Sequence, residues 1–190
     1  SRNGGQARRL TATPNVDTEP RFSPDGSRIA FTSTVAGNTD VYVMPAAGGD
    51  AKRLTYHPGL DAVRGWTPDG RRVVFTSDRD TAPHAHMRLW TIGLEGGMPE
   101  ALPIPRAFTG VFSSDSRRLA YEEVSVAMFP PWAQNRASQW RHYRGGRTHP
   151  IRIITLADYS VERLPWSNSN DTAPMWVGNT VYFLSDRNHT

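Results

Sequence analysis

The stretch RFSPDGSRIAFTS at residues 21–33 returns as GWTPDGRRVVFTS at residues 65–77, 44 positions later. A chain that repeats itself at this interval folds into copies of one unit, each covering an apolar face of the next, and this narrows the architecture more than any other feature. The echo extends beyond the quoted words. Leu10-Thr11 matches Leu54-Thr55, Asp17 matches Asp61, Phe22 matches Trp66, Pro24-Asp25-Gly26 matches Pro68-Asp69-Gly70, and Phe31 and Ser33 match Phe75 and Ser77. A third, more worn copy is FSSDSRRLAY at 112–121. A fourth begins at NDTAPMWVGNTVYFLSDR, 170–187, where Asp171, Trp176 and Ser185-Asp186-Arg187 correspond to Asp61, Trp66 and Ser77-Asp78-Arg79.

Each unit has a strand chemistry. EPRFS and RIAFTS alternate apolar and polar residues with the period of two that a pleated strand requires. Between them Pro-Asp-Gly is a tight turn: Pro presets φ, Asp bonds back to the backbone, and Gly26 or Gly70 accepts positive φ. DVYVM reads as a third strand, and a Gly turn leads into a fourth. Four short antiparallel strands per unit of about 44 residues is the signature of a propeller blade. The fold expected is all-β, a partial β-propeller of about three complete four-stranded blades and two incomplete ones. The frame divides the chain into a blade-end strand (1–11), blades at 12–55 and 56–102, a blade with a long insertion (103–164) and an incomplete blade (165–190). Both ends fall inside a repeat, so the chain is expected to be a piece of a longer protein. Only AQNRASQW, 133–140, has a pattern compatible with a short helix.

Composition bounds the chemistry. Of 190 residues 37% are apolar and 10% aromatic, enough for a core. There is no cysteine, which excludes disulfides and thiolate chemistry and leaves the compartment, periplasm or cytoplasm, open. Net charge is +4 and nearly all the positive charge is Arg, with Lys52 the single lysine. The charges are scattered except between Arg136 and Arg152, so no nucleic-acid partner is expected. No apolar run reaches the length of a membrane span, and no membrane insertion is expected.

No catalytic set is legible. A Gly-x-Ser-x-Gly elbow is absent and Ser-x-x-Lys is impossible with the lysine at 52. Ser23, Ser33, Ser77, Ser113 and Ser185 recur at equivalent positions, whereas a nucleophile is needed once. No cofactor is expected. His84 and His86 share a side of an extended segment, but with only Asp78 and Asp80 nearby they read as a surface loop rather than a metal site. Asp17, Asp61 and Asp171 stand just ahead of first strands. Either they accept bonds from backbone N–H groups and tie blade to blade, or they ring one mouth of a central channel with negative charge. The trailing Ser-Asp-Arg reads as a local Asp–Arg pair.

The single non-repetitive feature is the insertion between Tyr121 and Ile151, a 30-residue interval against 10 between Phe31 and Val41. It holds Met128, Phe129, Pro130, Pro131, Trp132, Trp140 and Tyr143 beside Arg136, Arg141, Arg144 and Arg147. Aromatics with Arg are the composition of binding hot spots. Trp140, Arg141, Tyr143, Arg144 and Arg147 are therefore candidate contacts to a peptide or another domain; the other reading is that the loop covers its own blade.

The Pro-Asp-Gly unit, with its preceding aromatic and trailing Arg-Leu-Thr, resembles the WD40-like propeller repeat of TolB-type proteins over residues 1–124. The second half narrows this. Tyr143-Arg144-Gly145-Gly146, Pro174-Met175-Trp176-Val177-Gly178 and Val181-Tyr182-Phe183 resemble the N-terminal propeller of tricorn-type serine proteases. That resemblance implies a large peptidase with a six-bladed and then a seven-bladed propeller ahead of a PDZ segment and catalytic core; none of the catalytic core is expected in this chain. It implies a non-catalytic propeller that guides or filters peptides and supports assembly. Peptides or other domains of the same polypeptide are the expected partners, with a homo-oligomer of the full-length protein. The alternative is a TolB-like periplasmic protein-binding propeller without enzymatic activity, which should lack the Tyr-Arg-Gly-Gly loop.

Overall fold

The computed structural model describes residues 7–12, 14–81, 86–123, 150–165 and 169–187, and every regular element among them is a β-strand. Strands β1 (Asp17–Phe22), β2 (Arg28–Ser33), β3 (Asp40–Pro45) and β4 (Lys52–Arg53) form one antiparallel sheet. β5 (Asp61–Trp66), β6 (Arg72–Ser77), β7 (Arg88–Gly93) and β8 (Gly96–Ala101) form the second, and β9 (Thr109–Phe112), β10 (Arg118–Glu122), β11 (Ile151–Thr155) and β12 (Val161–Arg163) the third. The hairpin β13 (Asp171–Val177) and β14 (Thr180–Ser185) begins a fourth. Within each sheet the strands follow chain order, and the first strands β1, β5, β9 and β13 neighbour one another across sheets. This is an open arc of propeller blades, as the repeat requires.

The middle strands of blades two and three are buried on both faces because each of these blades lies between two others. Ala30, Val41 and Val43 of the first blade meet Val63, Val73, Phe75, Trp90 and Ile92 of the second, with Leu54 between them. Val74 and Leu89 on the opposite side of blade two meet Leu119, Tyr121 and Ile154 of blade three. Ala120, Ile151 and Ile153 then meet Trp176, Val181 and Phe183 of blade four. Alternation along one strand thus feeds two separate cores: Val73 and Phe75 point one way and Val74 the other. The two outermost faces differ. In blade one, Ile29, Phe31, Tyr42 and Met44 are covered by Leu10. The described residues 7–12 pair with no strand, and Arg8 donates to the Ala47 carbonyl. In blade four, Met175, Val177, Tyr182 and Leu184 remain exposed.

The Pro-Asp-Gly turns share one bonding scheme. Ser23 Oγ donates to Asp25 Oδ1 at 2.6 Å and accepts from the Arg28 N–H at 2.9 Å, while Asp25 Oδ1 also accepts from the Ser27 N–H at 3.1 Å. Thr67 with Asp69, and Ser113 with Asp115, repeat it. Gly26 and Gly70 stand at φ 72° and 68°, and Ser116 holds φ 60° at the third copy. These bonds keep the Asp25 carboxyl at about 2, and they hold Asp69 and Asp115 below the usual carboxylate range.

Candidate functional site

The repeated acidic residues and the repeated Ser-Asp-Arg turn out to be one constellation. Asp61 is completely buried, and Arg79 Nη2 donates to its Oδ2 at 2.5 Å. Arg79 Nε donates to Ser77 Oγ at 3.0 Å, and its guanidinium lies 5.1 Å from the centre of the Phe75 ring. Blade four repeats this: Arg187 Nη2 to Asp171 Oδ2 at 3.1 Å, Nε to Ser185 Oγ at 2.9 Å, and the guanidinium 5.0 Å from Phe183. Asp171 Oδ1 further accepts from Ser169 and Ser185. The local pairing of Arg79 with Asp78 expected from the sequence is replaced by this cross-strand one. In blade one Asp17 stands opposite Ser33, but Val35 occupies the place of Arg79. Asp61 and Asp171 are not presented to solvent, and their charges are matched by guanidinium groups.

A related pair ties β3 to the end of the first blade. Buried Asp40 accepts from Arg53 Nη2 at 2.6 Å and from Thr55 Oγ1 at 3.2 Å. Burial pushes the Asp40 carboxyl above its ordinary value, against the pull of the Arg53 charge.

The innermost strands are bound to one another by side chains that the repeat pattern did not reveal. Glu19, held at φ 55° in a bulge of β1, accepts from Thr32 Oγ1 at 3.0 Å and pairs with Arg64 of β5. Arg64 Nε donates to the Phe108 carbonyl at 2.9 Å, with its guanidinium 4.3 Å from the Phe108 ring centre. The Val63 N–H donates to Thr32 Oγ1 at 2.9 Å, and in the equivalent place the Ala173 N–H donates to Glu122 Oε1. Two indoles complete the inner belt: Trp66 Nε1 donates to the Arg21 carbonyl at 2.9 Å, and Trp176 Nε1 to the Val111 carbonyl at 3.0 Å. The Trp66–Trp176 correspondence was visible in the sequence; their acceptors, being main-chain, carry no sequence signal.

At the Pro-Asp-Gly end of the arc these belts frame a depression of about 310 Å³, lined by Pro24, Trp66, Pro68, Val111, Phe112, Ser114, Trp176 and Gly178, so all four blades contribute. A second depression of about 680 Å³ adjoins it. Pro24 and Pro68 belong to both, and the outer one is walled by Asp25, Arg28, Asp69, Arg71 and Glu95. The insertion opens at the opposite end. Glu122 pairs with Ile151 at its base, and Arg152 Nε lies 2.7 Å from Glu123 Oε2. Trp140, Arg141, Tyr143, Arg144 and Arg147 lie outside the described residues, as do His84 and the segment 133–140. Among the described residues, which include His86, no group of three or more His, Asp or Glu is placed to hold a metal ion, and no helix is long and apolar enough to cross a membrane.

The chain is similar to known proteins in sequence and in fold. Residues 1–190 match the family of tricorn protease N-terminal β-propeller domains. The chain is 33% identical over 188 residues to tricorn protease homolog 1 of Streptomyces coelicolor, covering 98% of this chain and 17% of that relative. It superposes on a crystal structure of the tricorn protease with a TM-score of 0.74 at 23% identity, over 97% of this chain and 18% of that one. A putative TolB from Agrobacterium tumefaciens has a TM-score of 0.64 at 21% identity, over 85% of this chain and 53% of that one.

Proposed function

Because the chain belongs to the tricorn protease N-terminal β-propeller family, we propose that it is a non-catalytic wall of a peptide passage, guiding or filtering peptides for a catalytic core elsewhere in a longer polypeptide and supporting that protein's assembly. The observation that carries the proposal is the convergence of four blades on one depression beside the neighbouring first strands. Nothing in it resembles a nucleophile with its base; it offers shape and surface chemistry. Trp140, Arg141, Tyr143, Arg144 and Arg147, in the sequence insertion between Tyr121 and Ile151, are proposed contacts to another domain or to a peptide.

The test uses the full-length parent protein. Ser114→Cys places a thiol at the depression, in a stretch with no cysteine of its own. Modification with a bulky thiol reagent should slow cleavage of peptides about ten residues long while sparing a fluorogenic single-residue substrate. Equal effects on both substrates, or on neither, would refute the passage.

A further inference from the structure

We infer that the joint between blades two and three is a hinge, fixed just ahead of β9 and free to open at the turn end, where the depression lies. The inference does not depend on the passage reading.

The register of the repeats shows what a joint contains. Phe22, Trp66, Phe112 and Trp176 occupy equivalent places, opposite Ile29, Val73, Leu119 and Val181. Between blades one and two the Trp66 indole donates to the Arg21 carbonyl, and between blades three and four the Trp176 indole donates to that of Val111. Between blades two and three the place belongs to Phe112, whose ring has no N–H to donate. By the same register, the carbonyl that an indole there would meet is that of Gly65.

A second recurrent bond is missing at the same joint. Thr32, Thr76 and Glu122 are equivalent, opposite Val41, Leu89 and Ile151. Thr32 accepts from the Val63 N–H and Glu122 from the Ala173 N–H, each across a joint. Thr76 instead spends its hydroxyl inside its own sheet, on the Arg88 carbonyl at 3.3 Å. The strands follow the bonds: β5 lies close along β2 and β13 along β10, but β9 does not lie close along β6.

Blades two and three are tied ahead of β9, where Arg64 Nε donates to the Phe108 carbonyl and its guanidinium covers the Phe108 ring. Beyond that point Val74 and Leu89 meet Leu119 and Tyr121 in apolar contact, which attracts without fixing an angle. A tie at one end with non-directional packing beyond it permits rocking of one clasped pair of blades against the other. The depression straddles this hinge. Pro24, Trp66 and Pro68 belong to blades one and two, whereas Val111, Phe112, Ser114, Trp176 and Gly178 belong to blades three and four. Its width therefore follows the hinge angle.

The experiment is pulsed dipolar electron resonance on the cysteine-free full-length protein, with nitroxide labels on paired cysteines at exposed turn positions. Positions 27 and 71 span the first joint, 71 and 117 the second, and 117 and 179 the third. The expected distance distribution for 71–117 is about twice as broad as for the other two pairs. Phe112→Trp, which supplies the missing donor, should narrow it to match them, while Phe112→Leu should not. Equal widths at all three joints in the protein with Phe112 overturn the hinge, as does an unchanged width in Phe112→Trp. None of these readings involves peptide cleavage, so loss of the passage leaves the hinge standing, and the converse holds.

Discussion

The buried carboxylate of Asp61 is held by Arg79, 18 residues away, at 2.5 Å. The Asp61 side chain is fully shielded from water and that of Arg79 is 11% exposed. Removing one partner strands a desolvated charge. Arg79→Ala should therefore destabilise the protein by about 3 kcal/mol or more, whereas replacing both partners with apolar residues should cost much less. Denaturant unfolding of the two single variants and the double variant measures this. Lys52 with Glu95, an exposed pair at 2.9 Å, should give no measurable change when either is replaced.

The carboxylates divide sharply in acid. Asp25 in its turn titrates at about 2, and Asp69 and Asp115 also lie below the ordinary range. A depressed folded-state value stabilises above the unfolded value near 4, and the contribution is lost as pH falls through the folded value. The Asp25 turn should thus hold until roughly pH 2, and the contributions of Asp69 and Asp115 should be lost only below the ordinary carboxylate range. Asp40 has the opposite sign: its raised value means that protonation favours the folded state, so its effect on stability grows more unfavourable as pH rises through its titration. Carboxyl carbon-13 titration should show Asp40 protonating first and Asp25 last; the reverse order would contradict these environments.

Trp66→Phe keeps most of the ring and removes the bond to the Arg21 carbonyl. The expected loss is about 1 kcal/mol. Trp176→Phe should lose a similar amount, because the bond to Val111 is equivalent. Thermal unfolding of both variants tests whether the clasps are alike.

Two glycines of first strands should respond oppositely to the same change. A Cβ at Gly110 would sit 2.7 Å from Leu89 Cδ1 and 3.1 Å from Leu119 Cδ2, both in the packed joint between blades two and three. Gly110→Ala should cost about 1–3 kcal/mol. Gly65→Ala meets nothing within 4 Å and should be close to neutral. Chemical denaturation distinguishes them.

The isolated 190-residue chain should self-associate through Met175, Val177, Tyr182 and Leu184, the four apolar side chains left open on one face of the last hairpin. Sedimentation velocity should show association that falls when Val177 and Leu184 are changed to Lys. A monomer at all concentrations would count against it.

The blades were legible because their determinants are side chains with a period. Phe31, Phe75, Tyr121 and Phe183 sit at one register and contribute to separate cores. Pro24-Asp25-Gly26 and its copies announce their own turns. The pairing of Arg79 with Asp61 was half visible. Both residues recur in blade four as Arg187 and Asp171, and that joint recurrence against the Asp17/Val35 combination was the available signal. Glu19 with Arg64 had none, since each occurs at its position once and the two meet only through a bulge. The depression itself was invisible, because it is made by four turns converging and by no contiguous motif.

The Trp66 and Trp176 bonds end on carbonyl oxygens, and every amino acid supplies one. A join that reads only main chain leaves the residue across it free to drift. Arg21 and Val111, the two accepting residues, have nothing chemically in common. Sequence divergence between adjacent copies therefore need not weaken the seam between them, and worn repeats such as the one at 112–121 persist within an intact ring segment.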